Sequence, residues 1–253
     1  MLRTRVIPCL LSRNESLVKT IQFGQFGYIG DPANTCRIFN ELEVDELAFL
    51  DITASREKRD PNYKLLSEIA SECFMPVSYG GGIYSVEIAE KIFKVGIEKV
   101  ILNTHALHSP ELITKIAKAF GSQSVIVSID VKTNIFGKKQ CRGVSGTFNS
   151  HKNPVEWAKE VQDKGAGEIL LTSIDREGTW NGFDIELIKK VTNAVSIPVI
   201  AHGGAGSMAD IGHAVHQGGA SAVALGSMVV YQKKGMGVLV NFPDEAQLKK
   251  VLV

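Results

Sequence analysis

The chain has 253 residues, 44% of them hydrophobic, and a formal net charge of +1, a length that suits one large core and matches the ~250 residues of an eight-unit α/β barrel. No block of five like charges occurs, so composition points to neither nucleic acid nor a solvating tail, and apolar runs such as VIVSI and LAFL fall far short of the ~20 residues of a membrane helix. MLRTRVIPCLL is too short an apolar stretch for a secretion signal, and Cys9, Cys36, Cys73 and Cys141 lack CxxC spacing, so the expectation is a cytoplasmic enzyme or enzyme subunit with no metal, cofactor or disulfide framework.

Short β-rich runs alternate with amphipathic stretches along the whole chain, which predicts parallel βα units. The predicted strands are Val6–Leu10, Leu47–Leu50, Val77–Tyr79, Val100–Leu102, Val125–Ile129, Ile169–Leu171, Val199–Ala201 and Ala222–Leu225. SRNESLVKTIQFGQFGYIGD, after the first run, reads as a long loop. SVEIAEKIFKVG and SPELITKIAKAFG read as helices, the second opening at Pro110 and closing on Gly121. PDEAQLKKVL places acids first and lysines last, as a helix dipole favours.

A long internal repeat runs through these elements. Pro32 and Pro154, Glu46 and Glu168, Pro76 and Pro198, Gly81 and Gly203, and Gly96 and Gly218 are each 122 positions apart. The chain therefore reads as one domain over 1–253, made of two similar halves, roughly 1–122 and 123–253. Four units per half favour closure into a (β/α)8 barrel over an open doubly wound sheet.

In such a barrel the C-terminal strand ends carry the chemistry and the N-terminal ends carry stability. The C-terminal ends here are Leu11-Ser12, Asp51, Gly80-Gly81-Gly82, Asn103-Thr104, Asp130, Thr172 to Asp175, His202-Gly203-Gly204 and Gly226-Ser227. Two glycine clusters stand at equivalent places in the halves, each followed one unit later by a small polar pair. Backbone N–H groups freed there suit phosphate oxygens, which implies two phosphate sites across the mouth; alternatively the glycines only turn the chain. At the other end, Arg5, Glu46, Lys99 and Glu168 each stand directly before an apolar run. Such a ring is either a structural plug of ion pairs or a polar gate for a small neutral molecule.

Together with FGSQSVIVSID, GAGEILLTSIDREGT, HGGAG and LDITAS, these residues resemble the cyclase (HisF-type) subunit of imidazole glycerol phosphate synthase over nearly the whole chain. The resemblance implies a TIM-barrel lyase subunit of a glutamine amidotransferase complex. A HisH-like glutaminase would dock at the N-terminal barrel face, and its ammonia would cross the lumen to a bisphosphate at the top. It places the ammonia gate on Arg5, Glu46, Lys99 and Glu168, and one phosphate site on Gly82, Asn103 and Thr104. A second phosphate site falls on Gly178, Gly204, Gly226 and Ser227, with Lys19 reaching over the substrate. Asp130 becomes the catalytic acid/base, supported by Asp51 and Thr172.

Three positions depart from the family pattern. Leu11 stands where the family carries its first-strand aspartate, and leucine can move no proton, so ordinary cyclisation should suffer by ~10²–10⁴-fold. His202 replaces a serine and offers a group that titrates near neutrality. Glu177 replaces an aspartate. This pattern resembles the paralogues of surface-glycan and lipopolysaccharide synthesis, which pass ammonia to a phosphorylated or nucleotide-linked sugar. A genuine histidine-pathway cyclase and a non-catalytic glutaminase-activating barrel are the alternatives, with a free-standing phosphosugar isomerase behind them.

Overall fold

Eight parallel strands close into a barrel in the computed structural model, which describes residues 4–252. They are β1 (Arg5–Arg13), β2 (Leu47–Asp51), β3 (Val77–Gly80), β4 (Lys99–Leu102), β5 (Val125–Thr133), β6 (Glu168–Ser173), β7 (Val199–His202) and β8 (Ala222–Leu225). Each pairs with the next; β8 returns to β1 through Arg5↔Ala222, and β5 joins β6 through Glu168↔Ile126. Closure leaves none of these eight strands with a free barrel edge and removes the open-sheet alternative.

Side-chain parity divides the core. Successive strand residues point to opposite faces. Ile7, Cys9 and Leu11 of β1 therefore meet Ala48, Ile101, Ile126, Leu170, Ile200 and Ala224 inside the barrel. Val6, Leu10, Leu47, Phe49, Val100, Leu102, Val125 and Val127 pack outward under the helices. Burial of each Val, Leu or Ile contributes about 1.5–3 kcal/mol, so alternation in the strands supports two concentric apolar layers.

The helices follow their caps. Pro32 and Pro154 each open a ten-residue helix, Pro32–Glu41 and Pro154–Asp163, behind the capping side chains of Asp31 and Asn153. Ser85 caps Val86–Lys94 by accepting from the Ile88 N–H. Glu111–Phe120 ends at Gly121, whose φ of 90° only glycine adopts without strain; Pro110 occupies the cap before this helix rather than its first turn. PDEAQLKKVL forms Glu245–Leu252, which packs against Met208–His216.

The segment read as one long loop is strand-rich. Ser16–Thr20 folds back on β1 with Leu11↔Val18 in register, and Phe26–Gly30 pairs with it in turn. Gln22 and Phe23, at φ of 54° and 60°, make the tight turn between these two strands. Lys139–Gly143 and Phe148–Asn149 extend β5 in the same antiparallel way. All four cysteines are free, and no helix among the described residues is long and apolar enough to cross a membrane.

Candidate functional site

The floor of the barrel is a ring of ion pairs. Arg5, Lys99 and Glu168 are the first residues of their strands and Glu46 directly precedes β2, so strand starts bring all four to one level. Arg5 reaches Glu46 through Nη1 at 2.5 Å and Glu168 through Nη2 at 2.5 Å. Lys99 Nζ lies 3.0 Å from Glu46 Oε2 and 2.8 Å from Glu168 Oε1. Each carboxylate thus binds both cations. Burial disfavours the charge on Arg5 and on Glu168, but the partners outweigh it: Arg5 is raised and Glu168 lowered from their ordinary values. Above Glu46 sits a cavity of about 10 Å³ lined by Ile7, Ala48, Ser78, Ile126, Leu170 and Ala224, room for roughly one water-sized molecule.

At the opposite end a larger cavity, about 120 Å³, opens between Leu11, Gly81, Gly82, Asn103, Asp130, Thr172 and His202. Asp130 is buried near the end of β5, where Ser128 Oγ donates to its Oδ1 at 2.8 Å. Burial pushes the carboxyl up to about 6, against the pull of the Ser128 and Thr172 hydroxyls. At that value it is largely ionised at neutral pH. Thr172 stands in register with both Asp130 and His202, and its Oγ1 is 3.1 Å from His202 Nδ1. A hydroxyl has one proton; when it is given to the Asp130 carboxylate, the oxygen accepts from His202 Nδ1–H and leaves Nε2 as the free lone pair. Burial, with Lys19 adding its charge, holds the imidazole down to about 3, so it is neutral.

Leu11 is 4% exposed and packs with Val18 and Leu50 in the inner layer. It therefore presents an apolar wall to the same cavity that holds Asp130. Asp51 also lines that cavity, but its carboxylate is engaged. Oδ1 accepts from the N–H groups of Thr53 and Ala54, both at 3.0 Å, and Arg59 Nη2 lies 2.8 Å from Oδ2. It orders the loop after β2.

The residues expected at two anion sites fall into two separate groups. Gly82, Asn103 and Thr104 line the larger cavity. Gly82 has φ of 66°, and a Cβ there would come 2.6 Å from the Arg59 carbonyl. Asn103 braces the wall by donating to the Ser128 and Arg142 carbonyls at 3.0 and 3.2 Å. Gly178, Gly204, Gly226 and Ser227 line a smaller cavity with Lys19 and Glu177, and His202 borders both. Lys19 is itself 4% exposed. Its ammonium would lie 2.4 Å from a Cβ on Gly226 and sits 3.7 Å from Glu177 Oε1, so a buried cation faces the glycine cradle.

Glu177 ties the first hairpin down. Its Oε2 accepts from Thr20 Oγ1 at 2.9 Å and from the Phe23 N–H at 3.3 Å, and the Gln22 N–H donates to its carbonyl. Phe23 thereby becomes part of the cavity wall. Sequence reasoning missed Phe23, Ser55 and Ser128 at this site. For Ser128 a signal existed: two positions before Asp130 on one strand means the same face. Among the described residues no cluster of His, Cys, Asp or Glu could hold a metal.

Comparison with known proteins shows the family of the chain. The model of the histidine biosynthesis protein family matches residues 5–235. The chain is 50% identical over 248 residues to the provisionally named imidazole glycerol phosphate synthase subunit hisF2 of Pseudomonas aeruginosa, covering 98% of this chain and 99% of the relative. It is 45% identical over 253 residues to the provisionally named subunit hisF3 of Vibrio vulnificus, covering 100% and 97%. To the imidazole glycerol phosphate synthase subunit HisF of Alkaliphilus metalliredigens it is 41% identical over 233 residues, 92% of each chain.

Proposed function

The chain belongs to the histidine biosynthesis protein family as a HisF-type paralogue, and we propose that it is the synthase subunit of a glutamine amidotransferase complex, adding ammonia to a phosphorylated or nucleotide-linked sugar. A HisH-like glutaminase on the N-terminal face would release ammonia beneath the ring of Arg5, Glu46, Lys99 and Glu168. Ammonia would cross the inner layer and attack an electrophilic carbon held below Asp130. The two glycine-lined cavities would hold the phosphoryl groups.

The observation that carries this reading is the buried Leu11 in the cavity of Asp130, above an intact ring. Nitrogen attack needs one group to accept the proton that ammonia sheds, and Asp130, ionised at neutral pH, supplies it. Ring closure to an imidazole calls for further proton transfers, and the position where the resemblance expects a second acid is hydrocarbon. In this reading the retained ring keeps the nitrogen supply while the change at Leu11 removes ring closure. The acceptor that fits is an acetamido sugar whose amide oxygen already carries an activating group: ammonia adds to the amide carbon, the carbon–oxygen bond breaks as that group leaves on its oxygen, and an amidino group remains, as in surface-glycan synthesis.

The test compares glutamine with free ammonium as nitrogen donor, in the presence of the glutaminase. Lys99→Ala and Glu46→Ala should depress glutamine-dependent transfer while ammonium-dependent transfer persists; equal transfer from both donors in those variants would remove the channel. A second reading, a working histidine-pathway cyclase, rests on the Asp130–Thr172–His202 chain, which sets a hydroxyl and a neutral imidazole beside the carboxylate. Robust growth of a histidine auxotroph that lacks its own cyclase subunit would establish that reading instead. If Asp130→Asn leaves product formation intact while glutaminase stimulation continues, the barrel is a delivery module only.

A further inference from the structure

Beside the mouth, outside Gly82 and Thr104, lies a rim cavity of about 470 Å³. It shares Ser55, Gly82, Thr104 and His105 with the cavity of Asp130, so the two adjoin. Two features of its wall have no part in the function described so far.

The first is cationic. Arg56, in the short helix Ala54–Glu57 after β2, and Lys58, just past it, are exposed, and among the described residues neither side chain makes a hydrogen bond or an ion pair. Lys58 has φ of 53°, which ends the short helix Ala54–Glu57 and turns the chain along the rim. The nearby carboxylates are already engaged: Asp51 and Glu57 bind Arg59, and Asp60 accepts from Tyr84 at 2.8 Å. The two cations thus take no part in the ion pairs of this loop, and neither does the Asp60 carboxylate.

The second is aromatic. Tyr84 is 47% exposed, and its ring lies 5.5 Å from that of His105, tilted by 41°. The hydrogen bond to Asp60 holds the phenol in place, while burial and His108 lower His105, which keeps it a neutral ring. An exposed aromatic surface beside uncommitted cations matches a ligand with a planar ring joined to phosphate. A simple phosphosugar would use the cations and leave the rings without a partner.

We propose that this rim cavity binds a nucleoside diphosphate, with the base against Tyr84 and His105 and the phosphates between Arg56, Lys58 and the backbone at Gly82. The substrate class is then a nucleoside diphosphate sugar, with the sugar extending inward toward Asp130. This deepens the proposed function and rests on it for phosphate binding at Gly82 and for the inward direction of the sugar, but it places both phosphoryl groups on the Gly82 side rather than one in each glycine-lined cavity.

Equilibrium binding to the full chain, without glutamine, ammonium or glutaminase, tests the subsite separately from nitrogen transfer. The probes are uridine, guanosine and adenosine diphosphates, inorganic pyrophosphate and uridine diphosphate N-acetylglucosamine. At least one nucleoside diphosphate should bind roughly tenfold or more tightly than pyrophosphate, within what a stacked base contributes. Tyr84→Ala should abolish that preference while leaving pyrophosphate affinity unchanged, and Tyr84→Phe should retain it. Arg56→Ala with Lys58→Ala should weaken both probes and flatten their salt dependence. Equal binding of nucleotides and pyrophosphate, no binding, or a preference that survives Tyr84→Ala overturns the subsite. Exclusion of the sugar-linked nucleotide by a chain that binds the free one overturns its assignment to substrate.

Discussion

The Thr172 hydroxyl lies 3.1 Å from His202 Nδ1, and the two residues are direct register partners on adjacent barrel strands. Across the other neighbour Thr172 is in register with Asp130, whose charge its hydroxyl stabilises. Thr172→Val removes that hydroxyl at nearly constant volume. Asp130 then moves further above about 6, its present value. In ammonium-dependent transfer the acid limb of the pH–rate profile should shift to higher pH, and Thr172→Ser should restore it. An unshifted limb with a uniformly lower rate would assign Thr172 a packing role only.

His202 and Asp130 pull the pH dependence of stability in opposite directions. His202 falls from 6.5 to about 3 on folding, so its native environment is increasingly penalised as pH drops below 6.5. Asp130 rises from 3.8 to about 6, so its contribution is complete below 3.8 and is lost as pH rises through about 6. Between those limits the two nearly offset. His202→Ser should therefore gain in Tm relative to the parent on acidification from about pH 7 to about pH 4.5, whereas Asp130→Asn should fall behind it. Parallel melting curves for all three chains across this range would contradict the assignment.

The floor ring has its own signature. Glu168 is depressed on folding because Arg5 and Lys99 outweigh its burial. Its contribution is present above the unfolded value of 4.5 and is lost as pH falls through the native one. Glu168→Gln should cost about 1–3 kcal/mol near neutrality, since two cations lose a charged partner. That difference from the parent should narrow in denaturant titrations below pH 4.5, where the parent begins to lose the same charge.

Glu177 gives a prediction about closure. Its carboxylate spans from the loop after β6 to Thr20 Oγ1 and the Phe23 N–H. Glu177→Asp withdraws it by one methylene, enough to lose the longer of these bonds. Hydrogen exchange over residues 20–26 should quicken and KM should rise more than kcat falls. Unchanged exchange there would show that the hairpin is held by its strand pairing to β1 alone.

These residues also mark what a sequence makes visible. Apolar runs such as Val6–Leu10 made the strands legible, whereas the division of Ile7, Cys9 and Leu11 from Val6 and Leu10 into two core layers emerges only with closure. The ring was legible because charges directly before strands share one level in a closed barrel. The first hairpin was not, since its turn relies on Gln22 and Phe23 in left-handed conformation, a choice imposed by Glu177 from the other half of the chain. Asp51 read as an available strand-end acid, but a turn to Thr53 and Ala54 and an ion pair with Arg59 consume it. Neither the turn nor the arginine was read from the sequence; only the fold reveals them.

Leu11 is the position at which activity and stability should separate. It is buried against Val18 and Leu50 in the inner layer, so Leu11→Ala should cost about 2–5 kcal/mol through the cavity it leaves. Leu11→Asp places a carboxyl in the same apolar wall, beside the Asp130 cavity. Desolvation will raise the new acid, and the neighbouring Asp130 charge will raise it further. The sign follows: a raised acid stabilises relative to its ionised form at low pH and is penalised as pH rises through its native value. Melting of Leu11→Asp should therefore trail that of Leu11→Ala by more at about pH 8 than at about pH 5. If ring closure fails only for want of this acid, the variant should also rescue a histidine auxotroph that the parent chain does not. A folded Leu11→Asp chain that binds substrate, retains ammonium transfer and yet gives no rescue would place the block to cyclisation at His202 or in the phosphate cavities instead.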